Sequence, residues 1–314
     1  MMDEINIKRY AGGRFTGCKD LVIKEHTLAV YVNGELYIAL MCLPRDLDEL
    51  AVGFLYSEGI IDSFADVTRV DSSRGDSVFV DINVPTGARA ESAAQTEFAA
   101  RAESIAQTKS SSEADSVSKA GSSAKAGSSA KTGSDARTGS SARTVSNTGS
   151  RIIVSGFAKG SVNLSFMDTE KLAARPESPR IGPDEVIKMA AHFNNQSELF
   201  QKTGAVHSCA LALADKEYLF FEDIGRHNAL DKVIGKALMS GFDTKDGILL
   251  TSGRVSAEIL IKAARLGVPT VISMSAPTSK AVETARGLNM TLIGFARSDR
   301  FNIYTGDLAG AAIR

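Results

Sequence analysis

The stretch EDIGRHNALDKVIGKALMSGFDTKDGILLTSGRVSAEILIKAARLGVPTVISMSAPTSKAVETARGLNMTLIGFARSDRFNIYTG, residues 222–306, alternates short apolar runs with segments whose apolar residues recur at helical spacing. An aromatic run at 218–221 leads into it. Leu230, Val233, Ile234, Ala237 and Leu238 then repeat on one helical face, so a strand followed by a helix over 228–239 is predicted. The pattern recurs with a strand at 247–250 and a helix over 256–266 that Gly267 and Pro269 stop. A strand at 270–274 and a helix through Arg286 follow, then strands at 290–295 and 301–304. This alternation predicts right-handed crossovers and an α/β domain with a largely parallel sheet.

Three of these strands end in short polar and basic residues that open the next segment: Asp223, Gly225, Arg226, His227 and Asn228; Thr251, Ser252, Gly253 and Arg254; Ser273, Ser275, Pro277 and Thr278. In an open α/β sheet such turns gather at the carboxyl ends of the strands. Helix N-termini there offer free N–H groups and a positive dipole end to an anion. A phosphorylated or otherwise anionic ligand is therefore expected at this edge.

A chain of 314 residues with 43% hydrophobic content can bury a full core. Its net charge of -1 gives no electrostatic case for nucleic acid or for a membrane surface. Residues 1–10 mix acidic and basic side chains without an apolar stretch, so no signal peptide is expected, and no later run has transmembrane length. Cys18, Cys42 and Cys209 are scattered and form neither a disulfide framework nor a CxxC, which places the chain in a reduced, cytoplasmic setting.

Residues 86–150 are of another kind. From Lys119 they run KAGSSA, KAGSSA, KTGSDA, RTGSSA, RTVSNT, with nothing large to bury, and are read as a low-complexity disordered insertion. Residues 1–85 read as a smaller β-rich domain with one helix, and 151–314 as the α/β body. In the first, Asn33-Gly34 between apolar runs predicts a type I′ hairpin. Asp46 with Glu49 predicts a capping box ahead of the apolar face of Leu47, Leu50, Ala51, Phe54 and Leu55.

The motifs ELAVGFLYSEGII (49–61), TGAVHSCAL (203–211), EDIGRHNALDKVIG (222–235), TSGRVSAEI (251–259) and GFARSDRFNIYTG (294–306) resemble the formate dehydrogenase accessory proteins of the FdhD/NarQ family. The resemblance covers everything but the insertion. It implies a cytidine-deaminase-like three-layer α/β domain with a smaller β-containing domain, assembled as a homodimer. It also implies a cytoplasmic sulfur carrier that takes sulfur from a cysteine desulfurase. The sulfur goes to the bis-molybdopterin guanine dinucleotide (bis-MGD) molybdenum cofactor before that cofactor enters formate dehydrogenase.

One position departs from the family. Its members carry the persulfide on a loop cysteine, in many a CxxC, just before the segment that reads KGSVNLSF here. The loop in this chain is Ser155-Gly156-Phe157-Ala158-Lys159-Gly160-Ser161, and Phe157 occupies the expected cysteine position. A phenyl ring has no nucleophile, so the catalytic residue is unassigned. Cys209 and Cys42, in apolar strands, read as core thiols, and Cys18 in a polar stretch as the more exposed one. His207 and Cys209 lack the PCxxC of a deaminase zinc site, and no metal is expected.

The candidate cofactor-binding residues are Arg226, His227, Ser252 and Arg254, joined through the resemblance by Phe295, Ala296, Arg297, Ser298, Asp299 and Arg300. Each has a plainer alternative. His227 donates to a phosphate or ribose, or caps its own turn. Arg254 grips a phosphate at two points, or pairs with Glu258 one helical turn on. In the last group the resemblance implies an aromatic face for guanine, an Asp for the base and two arginines for pyrophosphate. The alternative is a charged surface turn.

Overall fold

Gly12 and Gly13, both at positive φ, reverse the chain between β1 (Met2–Ala11) and β2 (Arg14–Ile23), a two-stranded ribbon that the alternation of residues did not announce. The computed structural model describes residues 1–83, 152–153, 181–213 and 217–309, all in one compact unit. The insertion and the Phe157 loop lie outside the described residues.

Strands β3 (His26–Val32) and β4 (Glu35–Cys42) form the expected hairpin, with Asn33 and Gly34 at φ 50° and 84° as a type I′ turn requires. Helix α1 (Leu47–Ser57) follows, but the capping box does not form. Asp46 sits at the N-cap in the left-handed region, so its carboxylate makes no cap hydrogen bond and lies instead 3.5 Å from Arg45 Nε. Strands β5 (Val67–Asp71), β6 (Ser77–Ile82) and β7 (Ile152–Ile153) complete a five-stranded sheet in the order β5-β6-β3-β4-β7.

The rest of the chain begins with α2 (Pro183–Gln196) and α3 (Glu198–Thr203), then β8 (His207–Ala212), β9 (Tyr218–Asp223) and α4 (Arg226–Ser240). Next come β10 (Ile248–Thr251), α5 (Ala257–Leu266), β11 (Thr270–Ser273), α6 (Ser279–Gly287), β12 (Thr291–Gly294) and β13 (Asn302–Thr305). The six strands run in the order β13-β12-β11-β10-β8-β9.

This sheet is mixed, which corrects the largely parallel expectation. Only the pairs β10–β11 and β11–β12 are parallel, whereas β8–β9, β8–β10 and β12–β13 are antiparallel. The cause is connection length: a helix separates β10 from β11 and β11 from β12, but only a few residues join β8 to β9 and β12 to β13, enough for a hairpin and too few for a crossover. Strand β9 then crosses β8 through α4 to reach β10. Four strands therefore present their carboxyl ends at one edge, and β8 and β13 present their starts there.

Side chains alternate across the sheet. Leu249, Val271 and Leu292 face a core shared with α4, α5 and α6, while Leu250, Ile272 and Ile293 face Val186, Ala190 and Phe193 of α2. The first core continues without a break into α1 and into Leu28, Val30, Leu40, Val78 and Val80 of the five-stranded sheet. At its centre α1 and α4 cross backbone to backbone. A Cβ on Gly53 would fall 1.8 Å from the Asp231 carbonyl oxygen, and one on Gly235 1.9 Å from that of Glu49. Only glycine permits so close an approach.

Candidate functional site

The edge where β9, β10, β11 and β12 end is stitched into a row of turns. Ser252 N–H donates to the Ser208 carbonyl (3.0 Å), and Ser252 Oγ accepts from Ser208 N–H (2.9 Å). Gly253 N–H reaches Thr251 Oγ1 at 3.3 Å, and Ser273 Oγ donates to the Gly253 carbonyl at 2.9 Å. Ser275 N–H donates to Ser273 Oγ (2.9 Å), Phe295 N–H to the Ser275 carbonyl (3.1 Å) and Ala296 N–H to the Ser273 carbonyl (3.0 Å). These N–H groups are consumed by neighbouring turns, which leaves the helix N-termini as the expected source of open N–H groups.

Helix ends follow the same division. Ser256 caps α5 by accepting from Ile259 N–H, and Thr278 caps α6 by accepting from Ala281 N–H. Helix α4 starts at Gly225 with no capping side chain, so its N-terminal turn keeps its positive end. That turn carries Arg226 and His227.

Side chains supply most of the charge. His207 stands at the start of β8, paired in register with Asp223, and its Nδ1 lies 3.3 Å from Ser252 Oγ. The Gly253 backbone is wedged between two of the basic groups: a Cβ there would lie 3.1 Å from Arg226 Cβ and Cδ and 3.5 Å from His207 Nδ1. Arg254 is exposed, one residue on. His227 Nδ1 is 3.1 Å from Glu258 Oε1, an ion-pair contact. The other ring nitrogen, His227 Nε2, and Arg226 Nε are buried without a hydrogen-bond partner.

The electrostatics follow from this crowding. Burial lowers the His207 pKa, Arg226, His227 and Arg254 lower it further, and Asp223 opposes them. Arg226 is also held below its ordinary range, by burial and then by Arg254, with Glu258 opposing. Burial would raise Glu258, but His227, Lys262 and Arg226 outweigh it and hold its carboxyl below the usual range. A half-buried cationic group suppressed by cationic neighbours marks a place where positive charge outweighs negative.

Sequence reasoning named Arg226, His227, Ser252 and Arg254, and the fold brings them together. It weighed His207 only as a metal ligand and missed it as a member of this cluster. The Arg254–Glu258 pair does not form, because α5 begins at Ala257 and Arg254 precedes the helix; Glu258 meets His227 instead. The Phe295–Arg300 group lies further along the edge, past Ser273 and Ser275. Phe295 is exposed in the left-handed region at φ 52°, a conformation costly for an aromatic residue. Ala296 is buried beneath it. Arg297 is committed as a brace, with Nη1 donating to the carbonyls of Met274 (2.5 Å) and Ala296 (2.8 Å), while Ser298, Asp299 and Arg300 are exposed.

Most of the remaining polar residues of 222–235 weld the body together. Asp223 Oδ2 accepts from Leu43 N–H (3.0 Å) and pairs with Lys232 at 2.8 Å, both side chains fully buried. Its Oδ1 accepts from Gly225 N–H and Asn228 Nδ2, and the same Asn228 amide donates to the Met41 carbonyl at 2.7 Å. Asp231 receives Ser57 Oγ–H at 2.6 Å and Lys262 Nζ at 2.8 Å. Burial works against the Lys262 ammonium, but Asp231 and then Glu258 outweigh it and raise its pKa. Glu222 accepts from Ser197 Oγ and, at 3.0 Å, from Arg45.

Cys42 and Cys209 are buried core residues as expected: burial pushes Cys42 up to about 12 and raises Cys209 further still. Cys18, partly exposed, is on the β1–β2 ribbon. Among the described residues no His, Cys, Asp and Glu side chains group to hold a metal ion, and no helix is long and apolar enough to cross a membrane.

Comparison with known proteins agrees with this architecture. The crystal structure of a putative formate dehydrogenase accessory protein from Desulfotalea psychrophila superposes with a TM-score of 0.64 at 20% identity, covering 98% of this chain and 97% of that one. The sulfur carrier protein FdhD of Bacillus pumilus is 34% identical over 301 residues, 95% of this chain and 94% of its own length. That of Bacillus subtilis is 32% identical over 302 residues, 96% and 94% of the two chains. The profile of the FdhD/NarQ family matches residues 23–132 and 101–309, and with relatives this similar along nearly their whole length the chain belongs to the FdhD/NarQ family.

Proposed function

We propose that the chain is a maturation factor for formate dehydrogenase that holds the anionic, guanine-nucleotide end of the bis-MGD molybdenum cofactor along its row of turns. The observation that carries this reading is the cluster of His207, Arg226, His227 and Arg254, in which His227 Nε2 and Arg226 Nε are buried without partners and positive groups suppress one another. A phosphate supplies both the missing acceptors and the missing negative charge. The cofactor is cargo here, handed on to the enzyme. Arg254 and Arg226 grip a phosphate, Ser252 and His227 complete its shell, and Phe295 offers a face for the base with Asp299, Ser298 and Arg300 around it. Arg297 and Ala296 shape that turn.

In this reading the protein carries sulfur, as the name of its relatives implies, taking it from a cysteine desulfurase and delivering it to the cofactor in the cytoplasm as a homodimer. Residues 1–85 and 151–314 serve as its two folded parts around the 86–150 insertion, the second with a cytidine-deaminase-like fold. A second reading is favoured by one observation: Phe157 stands where the family's loop thiol is expected, and Cys42 and Cys209 are buried with raised pKa. It makes the protein a non-catalytic chaperone that binds the cofactor and passes it on. Calorimetry with GDP, half of the guanine dinucleotide, tests the shared core of both. GDP is expected to bind, and Arg254→Ala to weaken it by about 1.5–3 kcal/mol, the range for a charged hydrogen-bond partner. No binding, or an unchanged affinity in the variant, refutes the site.

A further inference from the structure

His207 faces the same side of β8 as Cys209 and Leu211, toward α4 and α5, and stands where the strand begins. Because β8 runs antiparallel to β10, its first residue lies beside the last residues of β10 and β9. The imidazole is therefore built into the row of turns rather than hung on a loop. Its Nδ1 meets Ser252 Oγ at 3.3 Å, and the Gly253 backbone lies between it and the Arg226 stem. A Cβ at 253 would already crowd the Arg226 stem at 3.1 Å and His207 Nδ1 at 3.5 Å, so glycine there lets the imidazole and the Arg226 side chain flank the turn on its two sides.

The ionisable groups around His207 come from every neighbouring element. Strand β9 gives Asp223, whose carboxylate already accepts from Leu43, Gly225 and Asn228 and pairs with Lys232. Helix α4 gives Arg226 and His227, the turn after β10 gives Arg254, and α5 gives Glu258, which is engaged with His227. Without an anion, burial and then the positive neighbours prevail and a proton on His207 is disfavoured. A phosphoryl group among Arg226, Arg254 and His207 reverses that balance, because its charge is closer to the imidazole than any carboxylate with capacity to spare.

Resting on the anion-binding reading above, we propose that His207 is a further contact of this site and that its imidazole takes a proton from solvent as a phosphoryl group seats between it, Arg226 and Arg254. The neutral ring accepts that proton, becomes an imidazolium and donates to a phosphoryl oxygen; no other bond changes. The sign follows from linkage. In the free protein the imidazole pKa lies below the usual histidine value, and in the complex it lies higher. Between the two, lowering the pH tightens binding; above both the ring is neutral in each state, and below both it is charged in each, so the dependence vanishes. Ligand occupancy and pH are thereby coupled at one residue, and release is favoured as pH rises.

The test is GDP calorimetry near neutral pH in buffers of different ionisation enthalpy, which counts protons taken up on binding. GDP's own terminal phosphate contributes equally to parent and His207→Gln, so the difference between them isolates His207. The parent is expected to take up as much as about one proton more than His207→Gln, and its affinity to gain up to about tenfold more per unit fall in pH. His227→Gln is expected to retain the uptake. With four histidines in the chain, imidazole NMR resonances assigned by these variants give a second reading: the His207 pKa is expected to rise when GDP is added. Equal proton counts in parent and His207→Gln with GDP binding intact overturn the proposal and leave the anion site standing. Loss of the uptake in His227→Gln alone, with His207→Gln like the parent, also overturns it. Absence of GDP binding in the parent overturns both.

Discussion

Replacing Gly53 by alanine places a methyl group 1.8 Å from the Asp231 carbonyl oxygen and 2.7 Å from Gly235 N. A carbon and an oxygen in ordinary contact sit about 3.4 Å apart, so α1 and α4 must separate by roughly 1.5 Å. The obstacle is helix backbone, which cannot swing aside as a side chain does. Overpacking of this kind costs about 1–3 kcal/mol. The separation also strains the 2.6 Å bond from Ser57 to the buried Asp231 carboxylate, worth about 1.5–3 kcal/mol as a hydrogen bond to a charged group. Together these give about 3–5 kcal/mol, a large share of the stability of an ordinary domain, and a fall in Tm of about 6–20 °C. Because α4 carries Arg226 and His227 on its first turn, the remaining folded protein is also expected to bind GDP about tenfold more weakly. Circular dichroism melting and GDP calorimetry read the two effects. Gly235→Ala is expected to behave alike, and Gly17→Ala, with open space around it, to stay within about 0.5 kcal/mol of the parent. A Gly53→Ala protein that melts within about 2 °C of the parent would refute the backbone crossing.

Lys232→Met leaves Asp223 buried opposite an apolar chain and is expected to cost about 3–5 kcal/mol in urea unfolding; a loss below about 1 kcal/mol would mean that the three donors to Asp223 suffice without the ammonium. Glu258 is held below its usual pKa when folded, so its contribution to stability is present above the unfolded value of 4.5 and drains away as pH falls through the folded one. Glu258→Gln should accordingly flatten the acid limb of the stability profile, and an unchanged slope below about pH 4.5 would count against the His227 contact. For the sulfur step, labelled persulfide from a cysteine desulfurase is expected to leave the Phe157 loop of the parent unlabelled and to label Phe157→Cys at the new thiol; label on Cys18, Cys42 or Cys209 of the parent would reveal a relocated carrier, and a wholly unlabelled parent would favour the chaperone reading.

Much of the C-terminal body was legible because its strands and helices differ in period and are punctuated by Gly267, Pro269 and the polar turns. The hairpin at Asn33-Gly34 was legible for a local reason, two adjacent residues that tolerate positive φ. The β1–β2 ribbon escaped because both its faces are largely exposed and no apolar alternation marks it, although Gly12-Gly13 was a usable signal. Helix α2 also escaped, despite Pro183 at its first turn and Val186, Ala190 and Phe193 on one face. Sheet direction and His207 were missed for the same cause. Which strand starts lie beside which strand ends depends on pairing order, which emerges only when β9 crosses β8. Residues that act from turns following strands could be named in advance, whereas one acting from the start of an antiparallel neighbour could not.

The buried bonds of Asp223, Asn228, Asp231 and Lys232 bear on how proteins of this kind are recognised. GRHNALDK is the most distinctive string in the chain, yet six of its eight letters are spent on internal joinery or packing: Gly225 N–H and Lys232 bind Asp223, Asn228 ties α4 to Met41, Asp231 ties it to Ser57, and Ala229 and Leu230 fill the core. Inheritance of that string therefore certifies ancestry and architecture. A lineage can keep every one of these letters under selection for folding while the thiol chemistry on a separate loop drifts, is lost or moves. For chains like this one, transfer of an activity from a relative is best judged by the loop that bears the nucleophile and by the basic cluster at the sheet edge, residue by residue.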